Sequence, residues 1–172
     1  MRKRRSLSLL VTVILMLVAS PLVALNSEMN RSTLQGLKGV RVLVEDFAPE
    51  AEREGLVKNQ IQKDVEDKLR AGGMKVLTQE EAVKIPGEPY LYVNLNINFS
   101  KEEEEVCSYS IDIALIQNVN LVRNPKQTTY AITWSTGGVG LIGKKSLSQL
   151  KESVEDVVDI FMKAFFSVNP KK

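Results

Sequence analysis

Two periods alternate along most of this chain, one of two residues and one of about four, and together they mark out its elements. In "GVRVLVEDF", Val40, Val42 and Val44 fall on one side, as in a strand with one buried face. After a Pro/Glu-rich connection, Val57, Ile61, Val65 and Leu69 recur every four residues, with Leu56 flanking them. That spacing predicts an amphipathic helix, and Gly72-Gly73 supplies its stop. "MKVLT" reads as a second strand, and Thr78 with Glu81 as a capping box that opens a short helical turn before Pro86.

The clearest alternation is in "YLYVNLNINFS". Leu91, Val93, Leu95, Ile97 and Phe99 face one way, and Tyr92, Asn94, Asn96, Asn98 and Ser100 the other. Beyond the charged "KEEEE" the alternation resumes in "VCSYSIDIALI". There Cys107, Tyr109, Ile111, Ile113 and Leu115 oppose Ser108, Ser110 and Asp112. Pairing the two runs as an antiparallel hairpin sets Asn98 against Ser108, Asn96 against Ser110 and Asn94 against Asp112. The same register sets Ile97 against Tyr109 and Leu95 against Ile111, so apolar meets apolar throughout. A slip of one residue would bury the asparagines, so this register is strongly specified.

A further strand, "TTYAITWS", is expected to turn Tyr130, Ile132 and Trp134 inward and Thr129, Ala131 and Thr133 outward. In the last element Leu147, Leu150, Val154, Val157, Phe161 and Phe165 share one helical face, widened by Val158 and ending at Val168-Asn169-Pro170. Ser146 with Gln149 reads as its capping box, which makes Leu147 its first residue. The order is therefore β-α-β-β-β-β-α. One apolar sheet face and two one-sided helices predict an α+β two-layer sandwich, its sheet mostly antiparallel and both helices packed on one face. The other face presents Asn94, Asn96, Asn98, Ser108, Ser110, Asp112, Thr129 and Thr133, a candidate binding surface or the hydrated side of an antiparallel sheet.

The amino terminus sets the expected compartment. Arg2, Lys3, Arg4 and Arg5 precede an apolar run from Leu7 to Ala19, and no further charge falls before Glu28. This is the layout of a secretory signal over residues 1–24, with Leu22-Val23-Ala24 a loose fit to a cleavage site. The apolar stretch to Leu25 also approaches the roughly 20 residues that span a bilayer. An uncleaved inner-membrane anchor over residues 7–25 is thus the alternative to a free periplasmic or secreted protein. Residues 25–37 are polar and aperiodic and read as a tether, leaving 38–170 as one domain. The whole chain carries a formal +2, so removing the four positive charges at Arg2 to Arg5 leaves −2. Bulk charge therefore gives no support to nucleic-acid binding.

Candidate chemistry is sparse. Histidine is absent, which removes the commonest general base and metal ligand. The single cysteine, Cys107, sits on an apolar strand face and allows no internal disulfide. Glu102 to Glu105 lack the spaced oxygen donors of a calcium loop. The segment "TWSTGGVGLIGKKS" contains a formal G-x-G-x-x-G at Gly138, Gly140 and Gly143. A dinucleotide site needs such glycines at a helix start and a second parallel strand after the helix, and here the last helix runs to the chain end. Lys144 is followed by Lys145, not Ser or Thr, so a Walker A loop fails as well. The glycines read as an extension of the last strand, curled or mobile. Asn30-Arg31-Ser32 and Asn98-Phe99-Ser100 are formal glycosylation sequons that matter only in a eukaryotic source.

The strand "VRVLVEDF", the helix-to-strand run "GLVKNQIQKDVEDKLRAGGMKVLT" and the closing helix "VEDVVDIFMKAFFSVNP" together resemble small exported α+β domains of the bacterial envelope. The likeness is to the amino-terminal domain of the Tol-system propeller protein and to curli-secretion-type proteins. It implies a non-catalytic adaptor or interaction domain, and the residues themselves offer no cofactor or metal set. The expected partner is an envelope protein, or a second copy met through the polar sheet face. The alternative is a periplasmic small-ligand carrier, with a site between the sheet face, Trp134 and the Gly137–Gly143 loop.

Overall fold

The computed structural model describes residues 25–99 and 105–170. The expected leader and most of the acidic hairpin tip lie outside them. The fold is α+β, in the order α1 (Glu28–Ser32), β1 (Arg41–Val44), α2 (Pro49–Arg53), α3 (Lys58–Ala71), α4 (Gln79–Ala82), β2 (Tyr90–Phe99), β3 (Val106–Leu121), β4 (Asn124–Gly143) and α5 (Leu150–Val168). Among the described residues the sheet runs β1-β2-β3-β4, with β1 parallel to β2 and the other pairs antiparallel.

One face of this sheet is sealed. Val42, Val44, Leu91, Val93, Leu95, Ile111, Ile113, Leu115 and Trp134 project from it into one core. Helix α3 closes that core with Ile61, Val65 and Leu69, and α5 with Val154, Val158, Phe161 and Phe165. Lys68 on α3 bridges Asp159 (3.0 Å) and Glu155 (3.8 Å) on α5, tying the two helices at the rim. The β2–β3 register is the expected one at every described pair, from Leu95–Ile111 to Asn98–Ser108.

Several expectations are corrected. Val57 does not belong to the α3 stripe: it is the exposed, extended N-cap residue, and the preceding Leu56 is buried in its place. "MKVLT" contributes one parallel bridge, Val40 to Val76, rather than a strand. Gly73, at φ +92°, leaves α3 and the Thr78 capping box immediately opens α4, so the stretch between them is too short to pair further. Gly39 permits that bridge, since a Cβ there would lie 2.5 Å from the Lys75 carbonyl oxygen.

Ser146 does not cap the last helix. Residues Lys144–Gln149 form a 3₁₀ segment that runs straight into α5 at Leu150, burying Leu147. Residues 25–37, expected as a tether, are built into the domain. Leu34 is fully buried, and the Asn169 amide donates to its carbonyl oxygen (2.9 Å) and to that of Phe165 (3.0 Å). Asn26 Oδ1 accepts from the indole N–H of Trp134 at 3.0 Å. Short polar side chains here satisfy buried donors and carbonyls of the core rather than face water.

Candidate functional site: the open face of the sheet

On the opposite sheet face the short helix α4 stands only at the β1 edge, where Gln79 meets Arg41, and the chemistry of the rest can be read row by row from the ladder. Asn94, Asp112 and Gly137 form one row, Asn96, Ser110 and Val139 the next, and Asn98, Ser108 and Leu141 the last. Six of the eight candidate residues therefore come together as three cross-strand pairs. The glycine-rich stretch is neither loop nor helix start: Gly137 to Gly143 pair residue by residue with Asp112 to Val106. Its backbone N–H groups belong to a strand and cannot gather round a phosphate.

Thr129 and Thr133 do not join the six. The β3–β4 register shifts between Leu115–Trp134 and Ile116–Ile132, so Thr133 is an extra residue without a counterpart on β3. Its hydroxyl accepts from the Gln117 amide at 2.8 Å, and the same amide reaches the Thr33 carbonyl oxygen at 3.3 Å, on the side of α1. Thr129 pairs with Val119, which alternates with Leu115 and Gln117 and so shares their side.

The same bulge overturns the expected inward placement of Tyr130 and Ile132. Beyond it they oppose Asn118 and Ile116 on the open face, and each is 52% exposed. They complete a corner that sequence reasoning missed. The Tyr130 hydroxyl donates to Glu88 (2.7 Å), its ring meets Tyr90 edge-on at 6.2 Å, and the Arg41 guanidinium lies 5.4 Å from the Tyr90 centroid. Arg41 also donates to Gln79. The hydrogen bond to Glu88 raises the Tyr130 pKa. Nearby, Tyr92 donates to Glu45 at 2.5 Å, and chiefly through that bond its pKa is pushed up to about 12.

The face thus has an aromatic, arginine-bearing end at Arg41, Tyr90, Tyr130 and Ile132. At the other end an amide-and-hydroxyl ladder is flanked by Val139 (66% exposed) and Leu141 (75% exposed). Amides, hydroxyls and aromatic rims are suited to holding another protein surface by hydrogen bonds and contact area. Trp134 cannot line a ligand site here, because it is buried on the helical side, 5.2 Å from Phe161 between ring centroids. No group of His, Cys, Asp and Glu side chains among the described residues is arranged to hold a metal ion. No protein-family model matches the sequence, and no curated protein is significantly similar to it.

Proposed function

We propose that this chain is a non-catalytic protein–protein interaction domain, exported to the bacterial envelope, which docks another envelope protein on its open sheet face. The observation that carries this reading is the make-up of that face. Exposed Tyr130, Ile132, Val139 and Leu141 stand beside an Asn/Ser ladder that carries a single carboxylate, Asp112, on a sheet whose other side is sealed. Exposed aromatic rings with an arginine beside them, and few charges at the centre, are the features enriched in protein interfaces. The basic and apolar amino terminus supports the location.

The test places a photo-crosslinking residue at Ser110, mid-face, in the full chain in living cells. A discrete adduct with one other polypeptide is expected. Adding Asn96→Arg beside it should abolish the adduct, and the same probe at Glu66, on α3, should give none. Equal yields from Ser110 and Glu66 would refute the reading.

A further inference from the structure

Strand β4 is the last strand of the sheet and runs for 20 residues, so one side of it has no strand partner among the described residues. Parts of that edge are guarded. Pro125 and Lys126 stand near its start, and at Ser135 the backbone of Leu25 covers it, the Ser135 N–H donating to the Leu25 carbonyl oxygen at 3.2 Å. From Thr136 to Gly143 there is neither a charge, nor a proline, nor a covering segment among the described residues. Natural sheets rarely leave an edge so unprotected unless it is used.

The direction of the free groups is fixed by Ser135. Its N–H points away from β3, and the β3–β4 register is unbroken from Trp134 to Gly143. The N–H and C=O groups of Gly137, Val139 and Leu141 therefore point outward too.

We infer that this window pairs with the same window of a second copy, antiparallel, about a two-fold axis at Val139. The strand is complementary to itself about that residue. Val139 meets Val139 of the other copy, and Leu141 lies over Gly137, which has no side chain to obstruct it. On the other side Gly138 faces Gly140, and among the described residues nothing lies within 4 Å of a Cβ built at Gly138. The limits agree as well: Gly143, where β4 ends, comes opposite Ser135, where Leu25 closes the edge. Charges fit across the axis. The exposed Lys145 of each copy, 3.9 Å from Glu105 of its own chain, comes on the side of the other's α1, whose first turn carries the exposed Glu28. A symmetric strand pairing of this kind closes after two copies and continues the sheet from one to the other. This association is made by the backbone groups of the strand edge but shares Val139 and Leu141 with the docking face, so it is read by a homodimer across Val139 while docking is read separately by the adduct at Ser110.

The test uses the full chain in cells and a short bifunctional thiol crosslinker. Val139→Cys places two thiols across the axis at an exposed position, and a crosslinked homodimer is expected. Val122→Cys, at the 97% exposed tip of the β3–β4 turn, should leave only monomer. In the Val139→Cys background, Leu141→Pro removes one outward N–H and should abolish the dimer, whereas Leu141→Ala should retain it. The inference is overturned if Val139→Cys yields only monomer or only an adduct with another polypeptide. It is equally overturned if Val122→Cys crosslinks as well, or if Leu141→Pro has no effect.

Discussion

The two hairpins of the sheet share strand β3 and obey different rules. Between β2 and β3 every described pair obeys the alternation of the sequence, so Asn96 meets Ser110 and Leu95 meets Ile111 without interruption. Between β3 and β4 one additional residue at Thr133 reverses the alternation, so Ile132 and Trp134, two positions apart, lie on opposite faces. Strand pattern determines facing only while the ladder is continuous. A single bulge moves Tyr130 and Ile132 from an expected core to an exposed surface, and with them half of the candidate site.

The largest effects should separate the two sides of that bulge. Trp134→Ala removes a fully buried ring packed on Phe161 and should destabilise by about 3–5 kcal/mol. Ile132→Ala, two residues away, should change stability by less than about 0.5 kcal/mol, because its side chain is exposed. The same contrast in the unbulged hairpin is Leu95→Ala, at about 2–5 kcal/mol, against exposed Asn96→Ala, again within about 0.5 kcal/mol. Chemical denaturation of the four variants checks both pairs. Equal losses at 132 and 134 would mean that the bulge is absent.

Next in size is Asn26→Ala. It leaves the buried Trp134 indole N–H without its acceptor and should cost about 1–3 kcal/mol. A free tether would show no loss at all, so this variant also decides how residues 25–37 behave.

Glycines sharpen the comparison further. At Gly140 a Cβ would lie 2.7 Å from the Tyr109 ring, which covers this glycine from the neighbouring strand. Gly140→Ala should therefore destabilise by about 1 kcal/mol, from overpacking. Gly138→Ala meets open space and should be neutral or stabilising by about 0.5 kcal/mol, from the reduced freedom of the unfolded chain.

The smallest expected effect is on pH dependence. The hydrogen bond that the neutral Tyr92 hydroxyl donates to Glu45 pushes its pKa up to about 12. Its folded pKa is thus above the unfolded value of about 10. The stabilisation is complete below the unfolded value and is lost as pH rises through the folded one. An ultraviolet titration should find one tyrosine ionising last, and Tyr92→Phe should remove that component and flatten the alkaline decline in stability.

The fold was legible where burial is one-sided and uninterrupted. The β2–β3 register, the Thr78 capping box, the buried face of α3 beyond Val57 and the end of α5 at Val168 all arise from local pattern. The features that escaped depend on contacts distant in sequence. Nothing near Asn26 or Leu34 announces Trp134 or Asn169 as partners, so a polar, aperiodic stretch reads as a tether while it is in fact a wall of the core. The six polar residues of β2 and β3 were found because alternation exposes them. The aromatic corner was not, since apolar residues in a strand pattern read as core until the ladder shows the extra residue. Thr129 and Thr133 were misplaced for the same reason.

One face of the sheet is sealed by helices, and the proposed docking needs the other to be accessible. Thiol labelling of Ser110→Cys, with native Cys107 as the internal reference, tests this most directly. In the purified protein the thiol introduced at position 110 should react rapidly while buried Cys107 stays protected. In intact cells, docking of the proposed partner should slow labelling at position 110 markedly. Protection of that position in the purified protein, or equal rates in cells and in solution, would contradict the account.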